Sequence, residues 1–205
     1  MRLRRVLLVL LVALTAAGCG TEEASRPQSI ADPPARAEER EVLVVGDSLA
    51  DEVRNLLPAA LPGWRVRIDA EWGRPLADGM RILARESAPP AILAISLFTN
   101  DDPRNVDALE AAVRATASRP GGCAVWATIV APAYAGTSHA GANRLLRRLA
   151  RDPALKLELV DWARAVERDG SLMSGDDVHA SPGGYRVRSR MYAAAIRACA
   201  QRLAP

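Results

Sequence analysis

Two short motifs far apart in the chain carry the residue types of activated-serine chemistry. The first closes the run Val42-Leu43-Val44-Val45-Gly46-Asp47-Ser48-Leu49, where an apolar stretch ends in Gly-Asp-Ser and a helical pattern follows at once. That arrangement puts the Ser48 hydroxyl at the carboxyl end of a buried strand, the edge at which open α/β sheets bind ligands. A helix amino terminus there offers unpaired N–H groups and partial positive charge to a developing oxyanion. The second motif is Asp176-Asp177-Val178-His179. A serine hydroxyl is a poor nucleophile until an adjacent base takes its proton, and a carboxylate commonly orients that base. His179 suits the base because an imidazole titrates near physiological pH. The other histidine, His139 in Thr137-Ser138-His139-Ala140, reads as an exposed residue at a helix start and stays as the alternative base. Asp177 competes with Asp176 for the carboxylate role and otherwise reads as a solvated loop residue.

Stepping outward from these motifs, short apolar runs alternate with longer amphipathic segments. Strands are predicted over Val42–Val45, Arg65–Ala70, Ile92–Leu97, Ala124–Ile129 and Leu157–Val160. Helices are predicted over Asp51–Leu61, Leu76–Glu86, Val106–Ser118, Ala140–Ala150 and Pro182–Leu203, the last capped by Ser181 ahead of Pro182. Strands alternating with helices imply a parallel sheet covered on both faces. The second strand sets Val66 and Ile68 between Arg65, Arg67 and Asp69, an alternation that suits an edge.

The chain divides into three parts. Residues 1–19 read as an export signal: Arg2, Arg4 and Arg5 precede an apolar stretch too short to span a bilayer, then Ala16-Ala17-Gly18-Cys19. Small residues before a cysteine resemble a bacterial lipobox, which implies lipidation of Cys19 and an extracytoplasmic, membrane-anchored protein; ordinary secretion is the alternative. Residues 20–40 are rich in Glu, Ala, Pro, Ser and Arg and read as a disordered tether with a reach on the order of 25 Å. Residues 41–205 suit one domain.

Losing Arg2, Arg4 and Arg5 with the signal leaves 24 basic against 24 acidic residues, so composition does not point to nucleic acid. No glycine-rich phosphate loop follows any predicted strand, which argues against a nucleotide-binding domain. In an oxidising compartment Cys123, opening a predicted strand, and Cys199, near the end of the last helix, could form a disulfide; two buried free thiols are the alternative. Neither their spacing nor their neighbours suggests a metal site.

Gly46-Asp47-Ser48, Gly73, Asn100-Asp101 and Asp176-x-x-His179 occur in the order and rough spacing of the SGNH (GDSL) hydrolase superfamily. The resemblance runs from residue 42 to about 200. It implies a three-layer α/β/α sandwich, flavodoxin-like, with a five-stranded parallel sheet. It also implies acyl hydrolysis or transfer through a serine ester, with Ser48 as nucleophile, His179 as base and Asp176 orienting the imidazole. The oxyanion donors it implies are the backbone N–H groups of Ser48 and Gly73 and the amide of Asn100. Residue chemistry agrees: a glycine after the second strand lets backbone approach a ligand, and Asn100 follows the third strand on the edge that carries Ser48. Plain turn roles for Gly73 and Asn100 remain open at this point.

One position departs from the superfamily pattern. The third block is usually Gly-x-Asn-Asp, whereas this chain reads Phe98-Thr99-Asn100-Asp101. The ring either narrows the acyl pocket or fills core space behind the strand. A looser resemblance, to extracellular SGNH domains that acetylate or deacetylate cell-wall polysaccharides, rests on Val125-Trp126-Ala127-Thr128, Asn143, Val160-Asp161-Trp162-Ala163 and Ser181-x-x-Gly184-Tyr185. The reading that follows is a monomeric serine esterase acting on a small-molecule or polysaccharide ester, needing no metal or organic cofactor. An O-acetyltransferase using the same residues and a non-catalytic glycan- or partner-binding lipoprotein are the alternatives.

Overall fold

Five segments rich in β-branched and aliphatic residues assemble into one sheet: β1 (Glu41–Gly46), β2 (Arg65–Ala70), β3 (Ile92–Ser96), β4 (Cys123–Ala127) and β5 (Leu157–Val160). They belong to a computed structural model that describes residues 40–204. The expected signal segment, the lipidation site Cys19 and all but the last residue of the expected tether lie outside those residues. Every strand pair is parallel, in the order β2-β1-β3-β4-β5. The partly exposed β2 is an edge, as its alternating sequence requires.

Because successive side chains on a strand point to opposite faces, each strand feeds two cores. Val42, Val44, Ile92, Ala94 and Val125 face one side, where they meet Leu49, Leu57, Tyr192 and Ile196. Leu43, Val45, Leu93, Ile95 and Trp126 face the other, against Leu109, Val113, Leu145 and Leu149. The covering helices are α1 (Ser48–Asp51), α2 (Leu56–Ala60), α3 (Leu76–Arg85), α4 (Val106–Ala117), α5 (Ala140–Leu149), α6 (Trp162–Arg168) and α7 (Pro182–Leu203). The result is the three-layer α/β/α sandwich implied by the sequence.

Two local differences from the sequence reading have physical causes. The helix expected over Asp51–Leu61 is two short helices, α1 and α2. Pro58 explains the break: it has no N–H for the Arg54 carbonyl and its ring would clash there, so it is tolerated only in a first turn. Helix α6 was not anticipated, although Asp161 caps it by accepting from the Arg164 N–H at 3.3 Å. At α7 the expected cap is present, with Ser181 Oγ accepting from the Gly184 N–H at 3.1 Å.

Cys123 and Cys199 are joined in a disulfide, Cα to Cα 5.6 Å. The bond ties the start of β4 to α7, at the sheet edge away from the carboxyl ends of the strands. Those carboxyl ends matter most for function. The chain leaves β1 toward β2 on one side, and β3 lies on the other, so a crevice opens where the winding reverses. Ser48 follows β1 and Asn100 follows β3 at that crevice.

Candidate active site

The turn after β1 is built for close approach. A Cβ on Gly46 would collide with the Ala50 side chain and the Ser96 carbonyl, so only glycine lets α1 fold back onto the strand ends. Asp47 caps α1 by accepting from the Leu49 N–H at 3.0 Å. Ser48 then opens α1 with its residue 6% exposed. With only four residues α1 has little macrodipole, so any help to an anion comes from local backbone N–H groups.

The loop before α7 delivers the histidine. Its base is closed by the Met173–Ala180 bridge and by the Ser181 N–H donating to the Leu172 carbonyl at 2.8 Å. Inside the loop Asp176 Oδ1 accepts from the N–H groups of Val178 at 3.0 Å and His179 at 2.8 Å. The Ser174 hydroxyl lies 2.6 Å from the same oxygen. The hydroxyl also lies 2.9 Å from the His179 carbonyl, which the Ser174 N–H already serves at 2.8 Å; the carboxylate, which is closer, charged and able only to accept, takes the hydroxyl proton. Its partners, led by Ser174 and then the His179 ring and N–H, hold the Asp176 carboxyl well below the usual carboxylate range. Asp176 Oδ2 lies 2.6 Å from His179 Nδ1, and His179 Nε2 lies 3.0 Å from Ser48 Oγ. Ser48, His179 and Asp176 are therefore in one hydrogen-bonded line. Asp177 lies exposed at the loop tip with φ +57° and is not in that line.

The remaining expected residues gather nearby. Asn100 Nδ2 lies 3.4 Å from Asp47 Oδ2 and 3.3 Å from the Arg74 carbonyl, linking the Gly46–Ser48 turn to the loop after β2. Gly73 sits in that loop with φ +74°, a conformation that favours glycine. Among the described residues, no hydrogen bond occupies the backbone N–H of Ser48 or of Gly73. Arg74 fixes the loop by donating to the carbonyl and carboxylate of Asp69, each at 2.8 Å.

Charge around Ser48 is set by buried groups beneath it. Burial lifts the Asp47 carboxyl to about 6, with the Arg188 charge and the Leu49 N–H pulling it back part of the way. Arg188 is itself buried, lies over Trp162 and Tyr192 at 5.3 and 5.5 Å, and donates to Ser96 Oγ at 3.0 Å. Sequence reasoning gave no role to Arg188, Ser174 or Trp72. Trp72 stacks on His179, ring centroids 5.4 Å apart at 29°. The available signals were adjacency alone: Trp72 precedes Gly73 and Ser174 stands two residues before Asp176.

One expectation needs correction and one open alternative is decided. His139 is buried, only 4% exposed, and not an exposed helix-start residue; the Phe98 ring meets it edge-on at 6.3 Å. Burial pushes its imidazole down, and it has no part in the Ser48 line. Phe98 is wholly buried in the core under α4 and α5, so its ring fills core space. Its φ of +80° accounts for glycine being usual there. The residues of the looser resemblance are scaffold. Trp126 donates to Thr116 Oγ1 at 2.9 Å in the core, Asn143 pairs with both backbone groups of Ile129, and Asp161 pairs with Arg147.

No family model and no curated protein sequence matches the chain. Solved structures do match. The C-terminal catalytic domain of Streptococcus pneumoniae peptidoglycan O-acetyltransferase A, carrying a methylsulfonyl adduct, aligns with TM-score 0.63 at 21% identity, over 80% of this chain and 93% of that one. A protein assigned to the SGNH hydrolases from Slackia heliotrinireducens aligns with TM-score 0.56 at 21% identity, over 76% and 98%. The chain has the SGNH hydrolase fold. An esterase of that fold from a Pseudoalteromonas species, EstA, inhibited by monoethylphosphonate, aligns with TM-score 0.58 at 16% identity, over 78% and 97%. At these identities the shared SGNH architecture is the finding, and the chemistry must be argued from the site.

Proposed function

We propose that this chain is a serine esterase that cleaves O-acyl esters through an acyl-Ser48 intermediate. The observation that supports it is the continuous line from Asp176 through His179 to Ser48, with contacts of 2.6 and 3.0 Å. His179 Nε2 takes the Ser48 proton as Oγ bonds to the ester carbonyl carbon. The tetrahedral oxyanion is received by the N–H groups of Ser48 and Gly73 and by the Asn100 amide, which exchanges one of its long contacts to Asp47 and the Arg74 carbonyl for the oxyanion; each donor is worth roughly 3–4 kcal/mol in such sites. Collapse breaks the bond to the alcohol oxygen, which leaves with the proton from His179. Water, deprotonated by His179, then attacks the acyl carbon and releases Ser48 and a carboxylic acid. Asp176, held ionised, keeps Nδ1 protonated and stabilises the imidazolium.

A second reading changes only the acceptor. Likeness to the peptidoglycan O-acetyltransferase domain favours a sugar hydroxyl in place of water, giving transfer instead of hydrolysis. Both readings assign an O-acylated substrate, with carbohydrate or cell-envelope esters as the class. A purely glycan-binding role would leave the ordered Ser174–Asp176–His179–Ser48 chain without a use. The amino-terminal sequence supports export and lipid anchoring at Cys19, which would hold the domain at the outer face of the membrane.

The test is turnover of p-nitrophenyl acetate by the full chain, with Ser48→Ala and His179→Ala. Each substitution is expected to lower kcat by more than about 10³-fold. Methylsulfonyl fluoride should place its adduct on the Ser48 peptide, read by mass spectrometry. Turnover surviving Ser48→Ala, or an adduct elsewhere accompanied by inactivation, would overturn the assignment.

A further inference from the structure

Trp72 is 62% exposed, and Tyr134 is the other large hydrophobic side chain left in water among the described residues. Single exposed hydrophobics are ordinary on protein surfaces. This one differs in being fixed and in where it is fixed. Its indole N–H donates to Asp51 Oδ2 at 3.1 Å. Asp51 is gripped in turn by Arg54 through Nε at 3.0 Å and Nη2 at 2.7 Å, and Arg54 Nη1 donates to the Ile68 carbonyl at 3.0 Å. The indole is thus pinned in solvent with its ring against the imidazole of His179, so ordering it again on binding costs little entropy.

The stacking distance and the His179–Ser48 contact together put the indole centroid within about 10 Å of Ser48 Oγ. That is the span of one pyranose ring and its O-acyl arm. The N–H edge of the indole is polar: Asp51 accepts from it and Arg54 grips Asp51. An apolar ring edged by a carboxylate and a guanidinium complements a sugar, whose C–H face stacks while its hydroxyls bond to the rim. An inserted membrane anchor would instead need apolar neighbours.

We propose that Trp72 is the platform that seats a pyranose ring of the substrate and directs its O-acyl group to Ser48. The proposal rests on the esterase reading above and assigns the residue that selects a carbohydrate ester. Ser48→Ala in the full chain removes turnover and allows binding to be measured. That variant is titrated by calorimetry with O-acetylated xylo-oligosaccharides and O-acetylated chito-oligosaccharides, alone and with Trp72→Ala or Trp72→Phe added. Trp72→Ala should weaken Kd on the order of tenfold for at least one probe, with Phe restoring part of it. With Ser48 present, Trp72→Ala should lower kcat/KM on that oligosaccharide on the order of tenfold further than on p-nitrophenyl acetate.

Binding of neither probe by Ser48→Ala, binding unaffected by Trp72→Ala, or equal losses on both substrates would each overturn the platform. Equal losses would make Trp72 a positioning residue for His179 only. Trp72-dependent sugar binding without any ester turnover would leave the platform standing and sink the esterase reading. Turnover without Trp72-dependent binding would do the reverse.

Discussion

Asp176 Oδ2 and His179 Nδ1 stand 2.6 Å apart although both belong to one exposed loop, because Asp176 Oδ1 is anchored separately by two backbone N–H groups and the Ser174 hydroxyl. One carboxylate oxygen holds the loop and the other holds the imidazole. Asp176→Asn should therefore lower kcat/KM on p-nitrophenyl acetate by about 10²–10⁴-fold, through loss of imidazolium stabilisation and of the tautomer. Ser174→Ala should lower it less, because the backbone donors to Asp176 remain. An equal loss in both variants, measured by steady-state kinetics, would put the orienting role on Ser174 instead.

Phe98 sets two energies against each other. Its φ of +80° costs about 1–3 kcal/mol for a non-glycine residue, whereas removing a fully buried phenylalanine ring costs about 3–5 kcal/mol. Burial wins. Phe98→Gly should relax the backbone yet destabilise the chain by about 2 kcal/mol in urea unfolding. A stabilised variant would show that the strain at this position outweighs the packing.

Asp47 makes folding depend on pH in a direction opposite to a paired surface carboxylate. Burial raises its carboxyl from 3.8 to about 6, so between those values the folded chain holds a proton that the unfolded chain releases. The stability tied to that proton is fully present below pH 3.8 and is lost as pH rises through 6. The wild type should lose up to about 3 kcal/mol relative to Asp47→Asn across that window. Parallel stability curves for the two proteins between pH 4 and 7 would contradict the burial of an ionising Asp47.

The Cys123–Cys199 disulfide closes a separation of 76 residues. In the chain-entropy account its removal costs about 4 kcal/mol. The double substitution Cys123→Ala/Cys199→Ala should lower the unfolding free energy by that amount, read from urea denaturation, while kcat at 25 °C stays near wild type, since the bond lies at the sheet edge opposite Ser48. A matching loss of kcat in the still-folded protein would mean that α7 positions the His179 loop through this bond.

Local chemistry was legible in the amino-acid sequence wherever a short stretch decides its own structure. The apolar runs became strands, Ser181-Pro182 opened α7, and the alternation in Arg65–Ala70 marked an edge, because strand period and helix capping depend on residues a few positions apart. The alternation of strands with helices implied a parallel sheet covered on both faces, and the resemblance carried by the four motif blocks implied the three-layer α/β/α sandwich. The same local rules make Pro58 a helix breaker and Asp161 a helix cap. What only the tertiary structure decided are relations between distant segments and the direction of a side chain. Ser48 and His179 are 131 residues apart and meet because parallel strands bring their carboxyl ends to one edge. Phe98, at positive φ just beyond β3, puts its ring in the core, and His139 is buried against it. Trp72 meets His179 through two loops from opposite ends of the domain, a contact that no local pattern encodes.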